Sequence, residues 1–146
     1  MNRFQAKAAQ ADELHRNLLT PQLTTNEQLL GAFMATASSA FTNRILVIGV
    51  TPLRLMLLEV DRKLQPKAAL VSVQPHDIIK SSVDGFGGGL AHFLTSDLGD
   101  IRFETSVAKY KLAALGGGLD QLFASDGQQQ GKHLFLQFLA AARNIA

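Results

Sequence analysis

The chain has 146 residues, 47% of them hydrophobic, no cysteine, no tryptophan and a formal net charge of +2. That length suits one domain with a core that needs no covalent staples, and the missing cysteines exclude disulfides, thiolate metal sites and a cysteine nucleophile. A charge so near neutral, with no basic cluster denser than Arg62-Lys63 and Lys67, argues against a nucleic-acid partner.

Residues 3–19 place Phe4, Ala8, Ala11, Leu14 and Leu18 at helical spacing among polar neighbours, which predicts an amphipathic helix. It ends at Thr20-Pro21, because the residue before a proline is pushed out of the helical region. Its polar face is not basic enough for anionic lipid, so the helix is expected to fold back on its own domain. Arg3, Lys7, Asp12, Glu13 and Arg16 break up any apolar block, so the segment does not read as a secretory signal. No apolar run approaches the length of about 20 that a transmembrane helix needs, and a cytoplasmic protein is expected.

From about Leu29 to Thr105 the pattern changes to strands, expected over 29–40, 45–50, 53–58, 69–73, 78–83, 90–95 and 101–105. Thr51-Pro52 makes a corner, since proline presets its backbone angle and cannot donate a ladder hydrogen bond. Asp61 to Pro66, Gln74-Pro75 and Asp84 to Gly89 read as the other turns. Seven short strands with tight connections predict a closed or nearly closed antiparallel meander, because an open sheet would leave reactive edges. Helical spacing returns at Val107, Lys111, Ala114, Leu115, Gly118, Leu119, Leu122 and Phe123, with Thr105 or Ser106 as N-cap. At Gly116-Gly-Gly118 that helix either breaks or lets another backbone approach, and both readings stay open. Leu134, Phe135, Phe138, Leu139, Ala142 and Ile145 mark a last amphipathic helix. The organisation expected is an N-terminal helix over 1–26, a β domain over 27–125 and a C-terminal helix over 126–146.

The run Ile45 to Leu58, two apolar strands around Thr51-x-x-Arg54, resembles the bacterial pleckstrin-homology-like (PH-like) domains and, more distantly, the GRAM domains. Val73-Gln-Pro75-His-Asp-Ile78 looks like the segment leading into the family's fifth strand. Gly85 to Leu90 looks like its glycine-rich link to the sixth, and Phe103-Glu-Thr-Ser106 like its passage into the closing helix. The resemblance covers roughly residues 27–125. It implies an α+β, mainly β, fold: a bent seven-stranded antiparallel barrel closed by a C-terminal helix and flanked by terminal helices, used for binding and self-assembly and not for catalysis. Relatives that bind phosphoinositides converge basic residues between the first two strands. Here Thr36 to Arg44 supplies only Arg44, which argues against that ligand.

Catalytic constellations are wanting. His15, His76, His92 and His133 have no partner at metal-ligand spacing apart from the adjacent His76-Asp77, and each reads as a surface or rim histidine. Asp84, Asp97 and Asp100 sit where turn geometry selects aspartate. Gly85-Phe-Gly87-Gly-Gly-Leu90 lacks the third glycine of a dinucleotide fingerprint. Gly127-Gln-Gln-Gln-Gly131-Lys132-His133 has three spacers where a nucleotide loop needs four. No enzyme activity, cofactor or metal is expected. Two functions are: a binding module for a protein partner or for itself, with Phe4, Leu14, Leu18, Phe135 and Phe138 as the interface of a homo-oligomer, or a small-ligand or lipid-head-group binder. The second would use Arg44, Arg54, His92 and Asp100 at the barrel mouth.

Overall fold

The computed structural model describes residues 3–38, 43–84, 100–114 and 126–145. Helix α1 (Arg3–Leu19) is followed by strands β1 (Gly31–Ser38), β2 (Asn43–Val50), β3 (Leu55–Val60), β4 (Val71–Val73), β5 (Ile78–Asp84), β6 (Asp100–Thr105) and β7 (Lys109–Ala114). Helix α2 (Asp126–Ile145) closes the described chain. All pairings are antiparallel, in the order β4-β3-β2-β1-β7-β6-β5, so the first and last strands of the meander meet through β1 and β7 and the sheet curls into a nearly closed barrel. This is the PH-like architecture that the resemblance implies.

Alternation along each strand divides the apolar residues between two faces. Inward-facing Phe33, Leu46, Ile48, Leu55, Leu57, Ile101, Phe103 and Leu112 make the barrel core, to which every one of the seven strands contributes. Helix α2 plugs it with Phe135, Leu136, Leu139 and Ala142. The Phe135 ring lies 5.5 Å from Phe33 and 5.9 Å from Phe103, which stacks on Tyr110 at 4.7 Å. On the opposite face of β1–β3, Ala32, Val47, Met56, Leu58 and Val60 form a second core under Leu19 of α1. Gly131 is what lets α2 come this close: a Cβ there would stand 2.6 Å from the Ala32 carbonyl oxygen. The segment that looks like a nucleotide loop is thus the opening of α2, and Lys132, fully buried and partnered, is shut off from any solvent phosphate.

One element is reassigned. Residues 109–114 form β7, not a helix over 107–123, so Phe103 to Ser106 leads into a hairpin and the closing helix is α2. Ala108, Tyr110, Leu112 and Ala114 do alternate with Lys109 and Lys111 in the sequence, but Ala, Leu and Lys are strong helix formers and obscure that period of two. The pairing of β7 with both β1 and β6 overrides the local preference. The strand expected over 90–95 and Gly116-Gly-Gly118 lie outside the described residues.

Candidate functional site

Of the expected ligand residues, the two whose side chains are described, Arg44 and Arg54, stand at opposite ends of the β2–β3 hairpin. Arg54 sits at the β2–β3 turn, where Thr51 Oγ1 accepts from the backbone N–H groups of Leu53 at 3.2 Å and Arg54 at 3.1 Å. Its guanidinium is spent inside the molecule: Nε donates to Glu27 Oε2 and Nη2 to Glu27 Oε1, both at 2.8 Å. Nη2 also donates to the Gln22 carbonyl at 2.9 Å, and Nη1 to Ser72 Oγ. Glu27, its side chain 1% exposed, accepts further from Thr51 Oγ1 at 2.8 Å and from the Thr24 backbone N–H at 3.1 Å. These donors, Arg54 first, hold the Glu27 carboxyl down at about 2, and the Glu27 carboxylate in turn raises the Arg54 guanidinium. The Thr51-x-x-Arg54 pattern therefore clamps the loop after α1 onto the β2–β3 turn.

Arg44 stands at the other end of the same hairpin, 3.6 Å from Glu59, which also lies 3.7 Å from Lys67. Its charge lowers the Tyr110 phenol, against the larger upward push of burial. The Asp100 backbone opens β6 across from Asp84, its side chain is not described, and His92 lies outside the described residues. Of the expected interface residues, Phe135 is fully covered within its own chain, Phe138 packs on the barrel core and Leu18 on the second core. Leu14 is half exposed, and the Phe4 side chain lies outside the description.

His15 corrects the reading of all four histidines as surface groups. It is 3% exposed, and neither ring nitrogen has a hydrogen-bond partner. The buried stripe of α1 runs through His15 and Leu19, a step around the helix from Leu14, because Gly49 on β2 lets Leu19 settle against the sheet. Desolvation lowers the His15 pKa below its ordinary 6.5, with Asp12 pulling the other way. The sign follows: α1 docking is at full strength above pH 6.5 and weakens as pH falls below it, because the undocked imidazole takes the proton more readily. His15→Leu is expected to flatten that dependence and to gain about 1 kcal/mol near neutral pH, as no unpaired polar group stays buried. Urea unfolding on both sides of the histidine range checks this, and equal pH slopes in variant and parent would refute it.

Sequence patterning missed an extended polar surface among the described residues. On the outer face of β5–β7, Lys80, Glu104 and Lys109 lie in one cross-strand row and Ser82, Arg102 and Lys111 in the next. Together with Ser81, Phe103 and Tyr110 they line an open concavity of about 550 Å³. Glu104 pairs with Lys109 at 3.1 Å. At one end of these strands a bulge in β5 leaves Ile79 65% exposed, and Val107, in the β6–β7 turn, is 88% exposed. The cations are scattered from position 80 to 111, so no run of basic residues betrays them. Among the described residues no three His, Asp or Glu side chains cluster as metal ligands, and no helix is long and apolar enough to cross a membrane.

No protein-family model and no curated protein matches the chain. Solved structures do. The hSac2 domain from the human phosphoinositide phosphatase Sac2 is 9% identical with a TM-score of 0.55, covering 94% of this chain and 83% of that one. The C-terminal domain of an unknown protein from Leishmania infantum is 16% identical with a TM-score of 0.50, covering 88% and 98%. A DUF1696 family protein with a pleckstrin-homology domain from Shewanella loihica is 18% identical, covers 88% and 92%, and has a TM-score of 0.44. At these identities the first two share the fold with this chain, and the likeness stops there.

Proposed function

We propose that this chain is a non-enzymatic PH-like binding module of the bacterial, cytoplasmic kind, whose ligand is another protein or a second copy of itself. The observation that carries this reading is the filled interior. Phe33, Phe103, Phe135 and Leu112 are buried where a barrel that holds a small molecule keeps a chamber, so recognition falls to the outer surface. Two of the described polar clusters are paired within the chain: Glu27 with Arg54, and Arg44 with Glu59. Helix α2 spends Phe135, Leu136, Leu139 and Ala142 on its own chain, as α1 spends Leu18 and Leu19, which favours a distinct protein partner over self-assembly through these residues.

The test is reconstitution from purified components. A co-purifying protein is identified, produced separately and mixed with this chain, and a saturable complex of fixed stoichiometry is expected by light scattering behind gel filtration. A second reading, a small-ligand or head-group binder, is favoured by the concavity on β5–β7, which falls in the range of about 300–1,000 Å³ usual for such sites. Failure to reconstitute any protein complex, together with a saturable thermal shift by a small anionic metabolite, would replace the first reading by the second.

A further inference from the structure

We propose that α1 is an acid-released strap: protonation of His15 frees the helix to swing off the β1–β3 face about Thr20-Pro21, while the Glu27–Arg54 clamp keeps the following loop and the barrel in place. This goes beyond the choice of ligand and holds whatever the module binds. Among the described side chains of α1 only His15 and Leu19 are buried, and the others are half-buried or exposed. An anchor that small is tipped by one group. His15 is 3% exposed with both ring nitrogens unpaired, so a proton gained there would leave a charge in an apolar seat with nothing to bond it.

The surroundings offer that charge one partner, on its own helix. Asp12, one turn earlier and half-buried, attracts it, but burial outweighs the attraction. The strand face beneath presents Ala32, Val47, Gly49, Met56 and Leu58, none of which titrates. Helix α2, which also touches α1, carries Lys132, fully buried and partnered, and His133, bonded to Gln137 at 3.0 Å. Neither supplies a negative charge to hold a protonated His15.

Two separate cores make the release local. Helix α1 roofs the second core, whereas the barrel core is filled from the strands and α2 and takes no described side chain from α1. Beyond the pivot the chain is tied down. Arg54 Nη2 donates to the Gln22 carbonyl at 2.9 Å, the Thr24 N–H to Glu27 Oε1 at 3.1 Å and the Leu30 N–H to the Val50 carbonyl at 2.8 Å. Before it, Thr20 Oγ1 donates to the Arg16 carbonyl at 2.7 Å, so the helix moves as one body. Docking weakens as pH falls below 6.5, whereas the contribution of Glu27 is complete above 4.5, which leaves a range in which the strap opens and the clamp stays shut. Opening bares Gly49 and the apolar face around it, which Leu19 covers near neutral pH.

The experiment measures the distance between α1 and the barrel in the full chain. Because the protein has no cysteine, Gln10→Cys with Leu53→Cys places one nitroxide pair on α1 and on the β2–β3 turn, both at exposed positions. Pulsed electron resonance reads their separation once above pH 6.5 and once between 4.5 and 6.5. A single docked distance is expected at the higher pH. At the lower, a longer and broader population is expected to grow several-fold, with Tyr110 fluorescence and the strand signal unchanged. His15→Leu is expected to keep the docked distance at both pH values. His15→Gln, polar but unable to titrate, is expected to give one distribution at both, whatever its open fraction. A parent distribution that does not change between the two pH values overturns the proposal. So does a long population that grows with acid equally in both His15 variants, which would move the sensor elsewhere. Loss of the strand signal together with docking also overturns it, because α1 would then belong to one barrel-wide transition.

Discussion

Arg54→Ala is expected to lower folding stability by about 3 kcal/mol, because removing one partner of a buried pair leaves the other charge stranded. The stranded group is Glu27, 1% exposed at its side chain. Without the guanidinium it loses two of its four hydrogen bonds, while the Gln22 carbonyl and Ser72 hydroxyl lose theirs. Burial that Arg54 now outweighs then pushes the Glu27 carboxyl upward. The pair is no net stabiliser relative to an apolar one, so Glu27→Leu with Arg54→Met is expected to regain most of the loss. Glu27 is held at about 2 in the fold against 4.5 when free, so its contribution is complete above pH 4.5 and drains away as pH falls toward 2. That window amounts to about 3 kcal/mol at 1.36 kcal/mol per unit. Chemical denaturation of parent and variants across that range measures both. A variant within about 0.5 kcal/mol of the parent would mean that the clamp is ornamental and would return Arg54 to the pool of ligand-binding candidates.

The role of Arg54 also shows where sequence reading stops. The two apolar runs either side of Thr51-x-x-Arg54 announce a β-hairpin, because strand alternation and a proline corner are local signals. Glu27 is 27 positions away, and nothing in its neighbourhood distinguishes it from any other acidic loop residue. An isolated Thr-x-x-Arg therefore reads equally as a ligand clamp or a brace, and tertiary pairing decides for the brace. The barrel was legible for the same reason the hairpin was: six of its seven strands show as short apolar runs between tight turns. Tyr110 to Leu112 went astray because Ala, Lys and Leu favour helix while the strand pairing with β1 and β6 is long-range. His15 was hidden by a rotation of the α1 stripe that depends on the small Gly49 beneath Leu19. The basic face of β5–β7 was unreadable because it is assembled across three strands, from residues 80, 102, 109 and 111, by a register that only the folded sheet sets.

Phe135→Ala is expected to cost about 4 kcal/mol, the upper part of the range for truncating a buried aromatic, because its ring has no solvent-facing side into which the site can collapse. It bridges the two halves of the sheet. Phe33 on β1 and Phe103 on β6 both pack on it, and Phe103 passes the contact to Tyr110 on β7. Aromatic pairs of this kind contribute about 0.5–1.5 kcal/mol beyond the area they bury. Phe138, half buried against the same core, is expected to cost less for the same truncation. The comparison decides what α2 is. A helix that stoppers the barrel shares its cooperative transition, so Phe135→Ala lowers the midpoint of the whole sheet's unfolding with its denaturant slope unchanged. A helix held in reserve for assembly would melt by itself, and the strand signal would keep its parental midpoint. Urea titration followed at two wavelengths, one reporting helix and one Tyr110, separates these outcomes. Coincident, downshifted transitions are the expected result, and they would make α2 a part of the barrel's own core.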